Sequence, residues 1–197
     1  MTKIQYKGAK LNTLSEILSF NKEFVDSGSY APFITNKYPD RKLAVVSCMD
    51  ARMVELLPQA LGLKNGDAKL IKNAGALITH PFGSVMRSLL VGVYQLEVKE
   101  ILVVGHLDCG MRAVNVAEVL DSARRAGISQ DVIDTLKNAG INLEQWFKGF
   151  DNVEDSVKYS VNMIKNHPLM PKNIPVHGLV MHPSTGKLTI IVRDESE

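Results

Sequence analysis

The chain has 197 residues, of which 45% are hydrophobic and 22% are charged, and its formal net charge is +2. This length can bury a substantial core, so we expect a single domain over residues 1–197, and the small net charge with scattered Lys and Arg residues argues against nucleic-acid or membrane partners. No apolar run is long enough to span a bilayer, and the segment Met1–Lys7 lacks an apolar signal-peptide stretch, so we expect a cytoplasmic protein.

The N-terminal part of the chain contains one predicted helix and then the first strand. Apolar residues recur at helical spacing from Thr13 to Ser27, which predicts an amphipathic helix that packs on the body of the protein or on a second subunit. Thr13 followed by Glu16 is a capping-box pattern and predicts Thr13 as the N-cap. A polar connection then leads to the apolar run Lys42–Ser47, the first predicted strand.

Helix and strand patterns alternate in the next segment. We predict a short helix over Met53–Leu61, with Pro58 inside or ending it, a strand over Ala68–Lys72 and a loop over Asn73–Ala76. A helix over Ser84–Leu96, with Ser84 as N-cap, and a strand over Ile101–Gly105 follow. This alternation predicts parallel βαβ units. In such sheets, ligands gather beyond the carboxyl ends of the strands.

The C-terminal part combines helical segments with a final pair of strands. The region from Met111 to Asn166 is mostly helical in pattern, and Val153–Ile164 predicts a packed helix. The runs Val176–Met181 and Leu188–Val192 predict two strands joined by a turn. The predicted fold class is α/β, a parallel sheet core flanked by helices with an appended C-terminal hairpin.

The two cysteines, Cys48 and Cys109, each follow a predicted strand, and they are the only ones in the chain. In a reducing compartment they are thiols or metal-bound thiolates rather than a disulfide. His106 ends the third strand three residues before Cys109. A lone buried cysteine is usually a small apolar side chain, and a lone histidine at a strand end is usually a hydrogen-bonded surface residue. Two thiolates and one imidazole at two strand exits, however, suit tetrahedral zinc. We therefore predict one zinc ion per chain.

The fourth position of such a site is left open by the sequence. Water there would make the site catalytic in type, whereas Asp50 as a ligand would close it. Residues two apart in a strand share a face, so Asp50 is expected near the metal, with Arg52 continuing that face unless a turn intervenes. Arg52 can hold Asp50 off the metal, and the carboxylate would then orient a zinc-bound hydroxide. A purely structural zinc site would normally bring four Cys or His ligands.

Three segments together resemble the β-class carbonic anhydrases, most closely the short prokaryotic and archaeal type: SCMDAR at 47–52, KNAG at 72–75 and GHLDCGM at 105–111. The resemblance implies that Cys48, His106 and Cys109 ligate zinc, that Asp50 and Arg52 form a catalytic dyad, and that Gly75 lies beside the CO₂ pocket. It also implies a homodimer or higher oligomer in which the N-terminal helix embraces the neighbour. The loop departs from the family pattern N-A-G-N at Ala76.

The expected function is therefore zinc-dependent, reversible hydration of CO₂ to bicarbonate. Two alternatives stay open at the level of sequence. One is hydrolysis of carbonyl sulfide or carbon disulfide on the same scaffold, since these linear substrates need the same hydroxide. The other is a catalytically silent zinc-binding homologue, against which the presence of both Asp50 and Arg52 argues. Asp50 itself has two predicted roles, as a zinc ligand in a closed form and as the partner of Arg52. His80 is either a proton relay or a solvated loop residue.

Overall fold

The structure is a computed structural model that describes residues 12–112 and 114–195. The N-terminal segment on which we based the signal-peptide prediction lies outside these residues. The chain divides into two compact units, one ending at Asn36 and the other beginning at Lys37. The expectation of a single domain stays a prediction.

The first unit contains helix α1, Thr13–Asp26, followed by the 3₁₀ turn Ala31–Phe33. The predicted helix is present, but Thr13 as its N-cap is wrong. Asn12 caps the helix instead, because its side-chain oxygen accepts a hydrogen bond from the Ser15 N–H at 3.0 Å. Asn is as favourable an N-cap as Ser or Thr, so the cap moves one residue towards the N-terminus.

The second unit is built on one five-stranded sheet with the order β2-β1-β3-β4-β5. The strands are β1 Leu43–Cys48, β2 Ala68–Asn73, β3 Glu100–His106, β4 Val176–Met181 and β5 Leu188–Val192. The pairs β1–β2, β1–β3 and β3–β4 are parallel, and β4–β5 is antiparallel. This topology confirms the predicted parallel core with an appended C-terminal hairpin.

The helices of this unit lie between the strands in sequence: α2 Leu56–Ala60, α3 Ser84–Gln95, α4 Val116–Arg125, α5 Gln130–Asn138, α6 Leu143–Phe147 and α7 Val153–Lys165. Gly83 is the N-cap of α3, which corrects the prediction of Ser84. The Gly83 carbonyl already accepts the first helical hydrogen bond, from the Arg87 N–H at 3.0 Å. Among the described residues, every helix is too short or too polar to traverse a bilayer.

Both faces of the central strands are covered. In β1, Ala44 and Val46 belong to a core cluster with residues of α3 and α7, whereas Leu43 and Val45 belong to a second cluster with residues around α2. Successive strand residues point to opposite faces, so a strand that is packed on both sides consists of apolar residues throughout. The apolar character of β1 and β3 is therefore a consequence of their central place in the sheet.

Helix α7 packs closely against the sheet because two glycines lie beneath it. A Cβ atom on Gly105 would lie 2.8 Å from Val153 Cγ2 and 2.9 Å from Val157 Cγ2. A Cβ on Gly178 would lie 2.6 Å from Val157 Cγ1. These separations are too short for a side chain, so glycine permits the close approach. Gly105 directly precedes His106, and its packing fixes the end of β3 that presents this histidine.

Candidate metal centre

The carboxyl ends of β1, β2 and β3 meet at one edge of the sheet. Cys48 is the last residue of β1 and pairs in register with Asn73, the last residue of β2. His106 is the last residue of β3, which pairs with β1 on its other side. Cys109 follows in the loop after β3. The strand ends at which the sequence predicted ligands therefore lie together at one edge of the sheet.

Cys48, His106 and Cys109 are buried, with 4%, 1% and 7% of their surfaces exposed. Their ligand atoms all lie within 4.8 Å of one another, and the two sulfur atoms are 3.7 Å apart. Zinc binds thiolates at about 2.3 Å, so two sulfurs at corners of a tetrahedron lie about 3.8 Å apart. The spacing of the sulfur atoms thus matches that of a tetrahedral zinc site.

The ring of His106 is oriented by a backbone carbonyl. Its Nδ1 lies 2.8 Å from the Leu107 oxygen. A carbonyl can only accept a hydrogen bond, so Nδ1 carries the proton and the Nε2 lone pair faces the sulfur atoms. Nε2 is buried and has no hydrogen-bond partner within the described part of the chain. A metal ion would satisfy this nitrogen, and the backbone contact to Nδ1 is the outer support typical of metal-binding histidines.

The surroundings of the two thiols shift their pKa values in opposite directions. Burial raises the pKa of Cys48, but the His106 ring and the backbone N–H groups of Asp50 and Gly75 outweigh it and lower the pKa to about 7. Burial raises the pKa of Cys109 to about 11. The interaction with Cys48 raises the pKa of His106. Cys48 therefore ionises first, and metal binding would displace the proton of Cys109.

Asp50 and Arg52 form the predicted pair, but a turn rather than strand alternation brings them together. β1 ends at Cys48, and Asp50 caps the 3₁₀ turn Ala51–Met53 by accepting a hydrogen bond from the Arg52 N–H at 2.9 Å. The Arg52 side chain donates from Nε to Asp50 Oδ1 at 3.0 Å and from Nη2 to Oδ2 at 2.9 Å. This bidentate pair lowers the pKa of Asp50 to about 2.

Asp50 lies beside the three buried donors without joining them. Its Oδ2 atom is 3.8 Å from His106 Nε2, and both of its oxygens accept hydrogen bonds from Arg52. Within the described ranges, the group of side chains able to hold a metal comprises the two cysteines and the histidine. The carboxylate is thus held next to the three donors by a guanidinium.

Asp108 is a second partner of Arg52 that the sequence reasoning missed. Arg52 donates from Nη1 to Asp108 Oδ2 and from Nη2 to the Asp108 carbonyl, both at 2.8 Å. Asp108 has a φ of 54°, a left-handed conformation that Asp tolerates better than most residues. Its position between the candidate ligands His106 and Cys109 was the one sequence feature that could have indicated this role.

Comparison with known proteins now identifies the family. The family model described as "Carbonic anhydrase" matches residues 43–188. The chain belongs to the β-carbonic anhydrase family.

Individual relatives agree with this assignment. The chain is 53% identical to the putative carbonic anhydrase YvdA of Bacillus subtilis over 180 residues, 91% of each chain. It is 30% identical to a carbon disulfide hydrolase of Saccharolobus solfataricus over 161 residues, 76% of each chain. A crystal structure of β-carbonic anhydrase isoform I from Trichomonas vaginalis superposes with a TM-score of 0.85 at 37% identity, covering 93% of this chain and 100% of that one. The resemblance drawn from the three sequence segments is therefore confirmed.

In this member of the β-carbonic anhydrase family, the loop after β2 supports the cluster through its backbone. The Gly75 N–H donates to Cys48 Sγ at 3.4 Å, and Gly75 has a φ of 76°. A Cβ atom there would lie 3.0 Å from Met111 Cβ and 3.2 Å from Phe150 Cε1. Ala76, where the sequence departs from the family pattern, has a φ of 56°. The departure therefore falls at a left-handed position, which Asn tolerates better than Ala.

Lys72 binds the backbone next to the same cluster. Its Nζ atom donates to the carbonyls of Cys48 at 3.3 Å and Met53 at 3.2 Å, and burial lowers its pKa. The structure thus gives Lys72 two backbone partners on either side of the Asp50–Arg52 turn. Its charge alone gave no indication of this role.

His80 is not part of the metal-binding cluster. It is exposed, and its Nδ1 accepts a hydrogen bond from the Phe82 N–H at 3.0 Å. It lines a cavity of about 810 Å³ together with Leu77–Thr79 and residues between 141 and 159. Of the residues around the cluster, Phe150, which packs near Gly75, also lines this cavity. A role for His80 as a proton relay stays a prediction.

Proposed function

We propose that this protein catalyses the reversible hydration of CO₂ to bicarbonate, with one zinc ion bound by Cys48, His106 and Cys109. One observation carries the proposal: the two thiol sulfurs and His106 Nε2, which has no hydrogen-bond partner among the described residues, lie within 4.8 Å of one another, and an Arg52-bound carboxylate oxygen lies 3.8 Å from that nitrogen. A structural zinc site normally uses four Cys or His ligands. Three such donors beside an oriented carboxylate favour a catalytic site instead.

The chemistry divides between the metal and the chain. When bound, zinc lowers the pKa of a coordinated water to about 7 and so supplies a hydroxide nucleophile at neutral pH. Asp50 has a pKa of about 2, so near neutrality it is ionised and can only accept hydrogen bonds. Arg52 binds both Asp50 oxygens and fixes the plane of the carboxylate. An acceptor held in this way orients the attacking group without reorganising during the reaction.

The proposed substrate side of the site is apolar. Gly75 presents its backbone beside Cys48, and the side chains of Met111 and Phe150 pack against it. An apolar wall suits an uncharged, linear substrate. Gly75 is accordingly the proposed substrate-binding residue. Asp50 as a ligand of the closed form requires that Arg52 first release one of its oxygens.

A second candidate function is the hydrolysis of carbon disulfide or carbonyl sulfide. It is supported by the 30% identity of the chain to a carbon disulfide hydrolase over 76% of each chain. Both reactions need the same zinc ligands and the same oriented carboxylate. They differ in the size and polarity of the substrate that reaches the site, so a substrate comparison separates them. A catalytically silent zinc-binding protein would act on neither.

The test is a stopped-flow assay of CO₂ hydration over pH ~6.5–9, which brackets the pKa of about 7 expected for zinc-bound water. Zinc content is measured in parallel, with Cys109→Ser as the metal-deficient control. We expect one zinc per chain and a hydration rate that rises with pH. One zinc per chain without hydration at any pH would exclude the proposal. Turnover of carbon disulfide or carbonyl sulfide by the same sample would then support the second candidate, and its absence the silent homologue.

The proposal includes assembly into a homodimer or higher oligomer. Helix α1 is amphipathic in sequence, and the apolar side of such a helix can pack on a second copy. Light scattering coupled to size-exclusion chromatography measures the assembly directly, and a monomer at micromolar concentration would contradict it. The expected cytoplasmic location stays a prediction.

A further inference from the structure

We propose that Asp108 is a positioning residue, which fixes Arg52 so that Arg52 in turn holds Asp50 off the metal. This inference rests on the proposed zinc site and adds a third member to the Asp50–Arg52 pair. Asp108 lies between His106 and Cys109 in the chain, so it links the loop that carries these two donors to the turn that carries the dyad.

The guanidinium of Arg52 is held on two edges. One edge, formed by Nε and Nη2, donates to the two oxygens of Asp50. The other edge, formed by Nη1 and Nη2, donates to the carboxylate and the carbonyl of Asp108. Four of the five N–H groups of the side chain therefore have acceptors. A planar group bound on two edges can neither rotate in its plane nor tilt without losing hydrogen bonds.

The conformation of Asp108 makes the second edge possible. Its φ of 54° turns the chain between His106 and Cys109 and directs its carbonyl towards Arg52. Its side chain is 83% exposed, and its carboxylate forms an ion pair with Arg52. The carbonyl bond depends on the turn alone, whereas the Nη1 bond depends on the carboxylate. Substitutions at this position can therefore separate the two.

Loss of the carboxylate should shift Asp50 towards the metal position. Asp50 Oδ2 is already 3.8 Å from His106 Nε2, so a modest movement would bring it into the coordination sphere. An exposed ion pair contributes little, and its loss corresponds to about a two- to fivefold change in equilibrium. The expected effect is therefore a partial closing of the fourth coordination position rather than its elimination.

The test measures access to that position in the Co²⁺-substituted protein by titration with azide, followed by visible absorption. The variants are Asp108→Gly, which keeps the backbone turn without the carboxylate, and Asp108→Asn, which keeps an acceptor for Arg52. Glu97→Gly is the matched control, because Glu97 also has a positive φ of 59° and a carboxylate exposed in an ion pair, with Lys42. Each variant is also made in an Asp50→Ala background, and CO₂ hydration by the zinc forms is measured alongside.

We expect Asp108→Gly to weaken azide binding about two- to fivefold, Asp108→Asn to weaken it less, and Glu97→Gly to leave it unchanged. In the Asp50→Ala background, Asp108→Gly should cause no weakening, because no carboxylate remains to compete with azide. The sign is diagnostic, since removal of a negative charge by itself would strengthen the binding of an anion.

Unchanged or stronger azide binding in Asp108→Gly would overturn the inference, as would an equal weakening in the Asp50→Ala background or in Glu97→Gly. If Asp108→Gly does not fold, Asp108→Asn decides by the sign of its effect. Absence of CO₂ hydration in the wild-type protein would refute the proposed function, whereas the azide comparison would still decide the role of Asp108.

Discussion

The sulfur atoms of Cys48 and Cys109 lie 3.7 Å apart, although 61 positions separate the two residues in the chain. The parallel pairing of β1 with β3 produces this proximity, because the carboxyl ends of both strands lie at the same edge of the sheet. The backbone turn at Asp108 then returns Cys109 to the end of β1. The site is therefore assembled by the central strands of the sheet and by one left-handed residue.

The first prediction concerns the zinc ligands. Cys48→Ser, His106→Ala and Cys109→Ser should each weaken zinc binding by more than about 100-fold, since loss of an outer-shell partner alone costs about 10- to 100-fold. Zinc content after dialysis against a chelator measures the effect. Ser47→Ala is the matched control, because Ser47 is fully buried and its hydroxyl has no partner in the described structure. A ligand variant that retains one zinc per chain would remove that residue from the set.

The second prediction concerns the dyad. Asp50→Ala and Arg52→Ala should retain zinc but lower the turnover number for CO₂ hydration about 100-fold, the scale expected for loss of a preorganised hydrogen-bonding group. Stopped-flow hydration with matched zinc contents measures the change. Arg87→Gln, which removes an exposed cation from α3, should retain wild-type turnover. Wild-type turnover in both dyad variants would exclude Asp50 and Arg52 from the mechanism.

The third prediction is a pH dependence of stability. Arg52 lowers the pKa of Asp50 to about 2 in the folded chain, against about 3.9 in an unfolded one. A group with a lowered folded pKa stabilises the fold above its unfolded pKa, and this contribution is lost as the pH falls through the folded value. Arg52→Gln should therefore lower the free energy of unfolding above pH ~4, and the difference from wild type should shrink towards pH ~2.

The difference in the free energy of unfolding is measured by urea unfolding of the wild-type and Arg52→Gln proteins at several pH values from pH ~2 to neutrality. Because Arg52 is partly exposed, solvent screens the pair and we expect the difference near neutrality to be small. A difference that grows as the pH falls would have the wrong sign and would refute the assignment of the Asp50 pKa shift to Arg52.

The fourth prediction compares two glycines. Gly75 and Gly62 both have positive φ, of 76° and 62°, but only Gly75 is crowded, by Met111 and Phe150. Gly62→Ala should cost about 1 kcal/mol for the left-handed conformation. Gly75→Ala should cost about 2–4 kcal/mol, because crowding adds about 1–3 kcal/mol. Urea unfolding measures both, and equal costs would show that Met111 and Phe150 yield freely to a methyl group.

Gly75→Ala should also disturb the candidate metal centre. The Gly75 N–H that donates to Cys48 Sγ would move as the loop shifts away from Met111. We expect weaker zinc binding in Gly75→Ala and unchanged zinc binding in Gly62→Ala, measured by competition with a chelator. Unchanged zinc binding in both variants would show that the Gly75 backbone does not support Cys48.

Some features could be predicted because their signals are local. The strands β1 and β3 are buried on both faces and therefore appear as apolar runs, and Cys48 and His106 end them. The resemblance to the family rested on short segments at these strand exits, and the family comparison confirmed it. The N-caps Thr13 and Ser84 were wrong by one residue, because Asn12 or a glycine satisfies the same backbone geometry.

The sequence by itself determined the fold class and the family and singled out Cys48, His106 and Cys109, because periodicity and short motifs are properties of neighbouring positions. Tertiary structure decided how Asp50 and Arg52 meet, since the chain turns after Cys48 instead of continuing as a strand. It also decided the partners of Lys72 and Asp108, which contact residues 19 to 56 positions away. Such contacts depend on strand order and on a left-handed turn, and a one-dimensional pattern does not contain the distances that these features create.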